Sequence, residues 1–188
     1  MKRVVVTGVG VITPIGNDAK TFWNNIKAGV NGVDTVTAFD TSEMKTQIAG
    51  EVKDFDILNY VDKKEARKMD RFTQFAIAAA DEAVKDAGLD MEKEDPWRVG
   101  CITGSGIGGI RTFEDQCQTL FEKGPSRVSP FFIPMMIGNI APCQIAIRFN
   151  ARGVNENVMT ACASSTNAIG TAFRHIQYGD NDVIIAGG

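Results

Sequence analysis

Between Arg3 and Ile12 the chain is a near-continuous run of valine and isoleucine broken only by Thr7, Gly8 and Gly10, which predicts a strand covered on both faces. Thr13-Pro14-Ile15-Gly16 ends that run, and Asn17 or Asp18 is placed to cap a short helix through Lys27, closed by Ala28-Gly29. Residues 30 to 59 are irregular, with scattered Gly, Asp and Thr, and predict loop with one or two short strands. A single helix is predicted over 62–87: Met69, Phe72, Ala76, Ala79, Ala80, Ala83 and Ala87 share one face, and Gly88 stops it. Residues 97–103 read as a buried strand, followed by a glycine-rich loop and a helix from Ile110 to Lys123. Phe131 to Ile137 form an apolar run too short to cross a bilayer, and most of it reads as core. A weaker strand, interrupted by Asn155, Glu156 and Asn157, leads to Cys162. Beyond it Ile169, Ala172, Phe173 and Ile176 keep helical spacing, Gly179 ends the helix, and Asp182 to Ala186 read as another buried strand.

Strands alternating with helices predict an α/β fold, and 188 residues suit one domain with a core large enough to need no staples. A hydrophobic share of 44% and a charged share of 23% are ordinary for a folded globular chain. The net charge of −3 gives no general pull toward nucleic acid. Lys2-Arg3 runs directly into a short strand, so the N-terminus reads as neither a signal peptide nor a membrane span. Cysteines stand at 101, 117, 143 and 162, with no metal-ligand or redox spacing; reduced thiols in a cytoplasmic setting are the expectation.

Cys162 carries the strongest chemical signal. Its neighbours Ala161, Ala163, Ser164 and Ser165 are all small, which lets substrate and backbone come close. If a strand turns into a helix here, unpaired N–H groups and the positive end of the helix dipole favour a thiolate, the form that attacks carbonyls. A small buried hydrophobe is the competing reading, and the residues by themselves leave both open. His175, the only histidine, lies thirteen residues further along the same predicted helix. At about 1.5 Å per residue the two are roughly 20 Å apart, so His175 cannot be the base for Cys162.

Gly104, Gly106 and Gly109 match dinucleotide-binding spacing in a strand–loop–helix setting. The motif does not open the chain, however, and Ser126-Arg127-Val128-Ser129 offers no acidic residue about twenty positions on to hold a ribose. An oxidoreductase is therefore the weaker reading, and close backbone packing of the loop is the alternative. Lys63, Lys64, Arg67, Lys68 and Arg71 crowd the start of the predicted helix 62–87, where cations oppose the dipole. A solvated, salt-laced face or a docking patch for an acidic partner both fit.

Thr160-Ala161-Cys162-Ala163-Ser164-Ser165 resembles the active-site motif of the β-ketoacyl-acyl-carrier-protein synthases, the condensing enzymes of fatty acid synthesis, and is most like their elongating bacterial type. Val4-Val5-Val6-Thr7-Gly8-Val9-Gly10, Arg67-Lys68-Met69-Asp70-Arg71-Phe72, Gly104-Ser105-Gly106-Ile107-Gly108-Gly109 and Ser129-Pro130-Phe131-Phe132-Ile133-Pro134 follow in the family's order. One departure is Gly153-Val154, where the family usually carries Gly-Pro.

The resemblance implies the first half of a thiolase-like layered αβαβα fold, a mixed, mostly parallel sheet with helices on both faces. It implies Cys162 as nucleophile and, through its backbone N–H, as oxyanion donor. Ile107 and Phe132 are implied at the acyl pocket, Phe132 from across a subunit interface. Lys63, Lys64, Arg67, Lys68 and Arg127 are implied as contacts for acidic acyl carrier protein. Homodimerisation, a cytoplasmic setting and no metal or organic cofactor complete the expectation. The family's two histidines and lysine come from a C-terminal half that residues 1–188 lack, so the chain reads as an incomplete N-terminal ketosynthase domain unable to condense by itself. A polyketide-type ketosynthase and a non-catalytic carrier-binding module are the alternatives.

Overall fold

The computed structural model describes residues 2–188. In chain order the elements are α1 (Ala19–Lys27), β1 (Val33–Thr35), β2 (Ile48–Gly50), α2 (Lys63–Ala66), α3 (Arg71–Asp86) and β3 (Val99–Gly104). They continue with α4 (Ile110–Lys123), α5 (Phe132–Met136), α6 (Ile140–Phe149), β4 (Asn155–Val158), α7 (Ser164–Tyr178) and β5 (Val183–Gly187). Asp18 caps α1 by accepting from the Thr21 N–H, as its side chain suggested. β1 and β2 form a separate antiparallel ribbon, within the stretch where one or two short strands are expected.

The central sheet has the order β4-β3-β5, and both pairings are parallel. β3 is the middle strand and its first five residues are buried, which is what a continuous apolar run requires. Alternate side chains leave it on opposite faces. Cys101 packs with Ile77 and Ala80 of α3 and Ile145 of α6, while Ile102 packs with Ala168 and Ala172 of α7. Helices therefore cover both faces, the layering the sequence predicts. The three strands run one way only, so among the described residues the antiparallel component of the expected mixed sheet is absent. β4 tolerates its polar residues because it is an edge strand whose first two positions face solvent.

Two expectations need correction. Residues 3–12 are extended but join no sheet. Among the described residues, 2–12 make no backbone–backbone hydrogen bond; the Val9 and Val11 amides donate instead to the carboxylates of Asp86 and Glu82. The segment lies directly on α3, where a Cβ on Gly10 would fall 1.8 Å from the Ala79 carbonyl oxygen and one on Gly8 2.2 Å from that of Ala83. Lys2 fastens its start to Asp182 at 2.9 Å. Hydropathy identifies a strand's composition, but pairing needs an adjacent edge, and the segment is separated from β5 by a cleft of about 960 Å³ that both border.

The predicted helix 62–87 is also two helices. Asp62 caps α2 through the Lys64 and Glu65 amides, and Asp70, extended at φ −68° and ψ 159°, caps α3 through the Phe72 amide. What reads as a salt-laced helix start is thus a pair of separately capped helices with four residues, 67–70, between them. α6 carries no strong signal, and its Pro142 falls in the first turn, where a missing N–H costs nothing.

Candidate active site

Cys162 lies between β4 and α7, in a 3₁₀ turn of Ala161–Ala163 that runs straight into the helix. It is exposed and borders the large cleft together with Gly104, Ser105, Ile169 and Phe173. The preceding residue, Ala161, has φ +50°, a left-handed conformation unusual outside glycine. The chain therefore reverses sharply at this point and presents Cys162 on the outside of the bend. Among the described residues no hydrogen bond engages the Cys162 amide, so a donor stands beside the sulfur.

The residues around it hold the bend. Ser164 is 4% exposed; its Oγ accepts from the Thr160 N–H at 2.9 Å and donates to the Ala161 carbonyl at 2.7 Å. Asn167 Nδ2 donates to Thr160 Oγ1 at 2.9 Å. Opposite, the backbone of Ser164 comes so close to β3 that a Cβ on Gly104 would fall 2.4 Å from its carbonyl carbon and oxygen. The small residues flanking Cys162 therefore serve two ends: Ala161 and Ala163 are exposed, while Ser164 is part of the scaffold. Small size was legible in the sequence; the hydroxyl's task was not, because it depends on a turn geometry that composition does not reveal.

The other cysteines differ sharply. Cys101 is fully buried in β3, and burial, reinforced by Cys143, pushes its thiol up to about 12. Burial also raises that of Cys143. His175 is occupied at the far end of α7, with Nδ1 2.9 Å from Asp180 Oδ2 and Nε2 3.7 Å from Glu156 Oε1. Among the described residues, no group of three His, Cys, Asp or Glu side chains converges as metal donors.

Ile107 is 65% exposed on the glycine-rich loop and lines an open, largely apolar cavity of about 580 Å³ with Ile110, Phe113, Met136 and Met159. Met159 on its wall lies three residues before Cys162 in the chain, whereas Cys162 itself borders the larger cleft. Phe132 does not line the cavity; its ring lies 6.0 Å from that of Phe113, one layer behind the wall.

Several amides of the glycine-rich loop and of the start of α4 are already engaged. Gly108 N–H donates to Ser105 Oγ, Gly109 N–H to the Met136 carbonyl, and Thr112 N–H to Asp70 Oδ2. A carboxylate of the protein thus occupies the start of α4, where a dinucleotide fold would seat its pyrophosphate. The glycines serve close packing: a Cβ on Gly109 would fall 2.6 Å from the Met135 carbonyl oxygen and 2.9 Å from Asp70 Oδ2.

Lys63, Lys64, Arg67, Lys68 and Arg127 are all exposed, and among the described residues none forms an ion pair. Lys68 Nζ sits 5.2 Å from the Phe131 ring centroid, which joins the α2–α3 corner to the segment just after Arg127. Lys68 thereby lies against the start of α5, whose last residue, Met136, lines the apolar cavity.

Helices on both faces of a parallel sheet place the chain in the α/β class, with the layering of one half of a thiolase-like αβαβα fold. More specifically, residues 1–188 match the β-ketoacyl synthase N-terminal domain, and the chain belongs to that family. It is 54% identical over 187 residues to the 3-oxoacyl-[acyl-carrier-protein] synthase 2 of Staphylococcus aureus (strain COL), covering 100% of this chain and 45% of that protein. The Synechocystis sp. protein of the same name is 48% identical, with the same coverage. Among solved structures, the ishigamide ketosynthase/chain length factor superposes with a TM-score of 0.90 at 27% identity, over 98% of this chain and 46% of that one. A type II polyketide ketosynthase in complex with its acyl carrier protein gives 0.86 at 27% identity, over 99% and 50%. The chain thus spans about half the length of the relatives it matches.

Proposed function

We propose that the chain is the N-terminal part of an elongating β-ketoacyl-acyl-carrier-protein synthase of fatty acid synthesis, and that Cys162 is its nucleophile. The observation that carries this reading is the exposed sulfur on a left-handed bend, beside an unengaged amide and facing a cleft. In the complete enzyme the Cys162 sulfur attacks the carbonyl of an acyl-carrier thioester, and the carrier thiol leaves with the proton that Cys162 gives up. A malonyl thioester then loses carbon dioxide, and its α-carbon attacks the acyl-enzyme carbonyl. A carbon–carbon bond forms, the Cys162 thiolate is released, and the acyl chain is two carbons longer. The free Cys162 N–H supplies half of the oxyanion site, the kind of stabilisation that usually dominates acyl transfer. The remaining donor and the acid–base groups belong to the length of the relatives that the chain does not span.

The cavity beside Ile107 suits the acyl chain, since its walls are largely apolar and Met159 on its wall lies three residues before Cys162. The unpaired cations of α2 and Arg127 suit an acidic acyl carrier protein. A free β4 edge beside that cavity suits a homodimer in which Phe132 reaches toward the partner's acyl site. Four free cysteines suit a cytoplasmic protein. The greater identity to synthase 2 proteins than to the polyketide ketosynthases favours fatty acid elongation.

The test is condensation by the complete enzyme with acyl- and malonyl-carrier protein, followed as a product two carbons longer. Cys162→Ala abolishes the product and retains carrier binding. Reversing Arg67 and Lys68 to Glu weakens binding in a salt-dependent way. Undiminished condensation by Cys162→Ala overturns the assignment, and binding indifferent to both reversals removes the docking patch.

A further inference from the structure

We infer that Ser164 is a positioning residue for the nucleophile: its hydroxyl is a clasp that holds Ala161 in its left-handed conformation and thereby presents Cys162. This rests on the reading of Cys162 as nucleophile. The hydroxyl has one proton to give and uses it on the Ala161 carbonyl at 2.7 Å; it accepts from the Thr160 N–H at 2.9 Å. Both partners precede Cys162 and the serine follows it, so the two bonds close a five-residue loop with the cysteine near its centre.

The bend needs a clasp because alanine has no preference for φ +50°. The ordinary 3₁₀ bonds, Ala163 N–H to the Thr160 carbonyl and Ser164 N–H to that of Ala161, remain available to many sequences. The side-chain bonds add to that backbone tie a second bond to the Ala161 carbonyl and a reach to the Thr160 N–H on the other side of the strained residue. Ser164 is itself immobilised: it is 4% exposed and wedged against Gly104. A rigid anchor, a strained link and an exposed sulfur therefore follow one another within four residues. Without the clasp, Ala161 falls back to a common conformation, the bend opens, and the sulfur and its neighbouring amide lose their common orientation.

The proposal is tested within residues 1–188 by two readouts. The ¹³C shifts of Ala161 report the left-handed backbone, and mass spectrometry follows iodoacetamide labelling of Cys162 against Cys117 in the same molecule. Ser164→Ala is expected to erase the left-handed signature and to slow Cys162 relative to Cys117 by about fivefold, the factor that one hydrogen bond carries. Adding Ala161→Gly restores the rate, because glycine adopts positive φ without strain. Should Ser164→Ala fail to fold, the double variant decides: a folded protein with the unmodified relative rate supports the clasp, and a damaged one assigns Ser164 to packing and overturns it. An unchanged Ala161 signature, or a changed signature with an unchanged labelling ratio, also overturns it. Failure of the nucleophile assignment shows elsewhere, as undiminished condensation by Cys162→Ala in the complete enzyme.

Discussion

Asp70 is the residue whose removal best tests how the parts of this molecule are joined. The residue is 9% exposed and its carboxylate makes three contacts: Oδ1 accepts from the Phe72 N–H at 3.3 Å, and Oδ2 accepts from Thr112 N–H at 3.1 Å and Thr112 Oγ1–H at 2.6 Å. One side chain thus caps α3 and neutralises the N-terminus of α4, two elements that begin some forty residues apart. Loss of an N-cap costs about 1 kcal/mol. A hydrogen bond to a charged group is worth about 1.5–3 kcal/mol, and the two Thr112 bonds share one acceptor, so they do not add fully. Asp70→Ala is therefore expected to cost about 3 kcal/mol, which for a chain of this size corresponds to a fall of roughly 6–12 °C in Tm. Urea unfolding gives the free energy, and hydrogen exchange at residues 108–113 shows where it is lost. Thr112→Val, which removes only the hydroxyl bond, is expected to cost about 1 kcal/mol, and much of that cost disappears when Asp70 is already alanine. A loss below about 1 kcal/mol for Asp70→Ala, or strict additivity of the two changes, refutes the description of Asp70 as a shared cap.

Three further expectations follow from single contacts. Gly10→Ala places a methyl group 1.8 Å from the Ala79 carbonyl oxygen, backbone against backbone, and is expected to cost about 3 kcal/mol in urea unfolding; a change under about 0.5 kcal/mol shows that residues 3–12 do not rest on α3. The Arg98 guanidinium, and after it Lys2, hold the Asp182 carboxyl well below the usual carboxylate range. Because the folded value is lowered, its stabilisation is present above the unfolded value of about 4 and is lost as pH falls through the folded one; acid unfolding of Asp182→Asn is accordingly shallower below about pH 4, and identical acid profiles remove the ion pair from the account. Cys101, with its thiol pushed up to about 12, is expected to resist alkylation at pH 8 until urea unfolds the chain, whereas labelling at the rate of Cys162 contradicts its burial.

The elements that the sequence revealed are those whose cause is local. β3 and β5 are apolar runs, α4 has helical spacing, and α7 ends at Gly179 in the left-handed conformation that its position predicts. Cys162 was visible because small residues crowd it. The features that stayed hidden depend on partners distant along the chain. Asp70 looks like one charge among many until Thr112, 42 residues on, donates to it. Residues 3–12 have the composition of a central strand, yet composition does not say which edge will accept them. Ser164 was legible as small but not as a fastener, since nothing in the string records the φ of Ala161.

β5 pairs on one side with β3, and its other side borders the cleft whose opposite bank is the unpaired stretch 3–12. Val5 and Val6 on that bank are 57% and 83% exposed. Apart from the Val9 and Val11 amides, which Asp86 and Glu82 engage, each bank carries idle amides and carbonyls beside greasy side chains, so a neighbouring polypeptide in extended form that slips in gains ladder rungs along the length it lays down. Solutions of residues 1–188 should therefore cloud as they are concentrated, and a charged residue in place of Val6 should keep them clear.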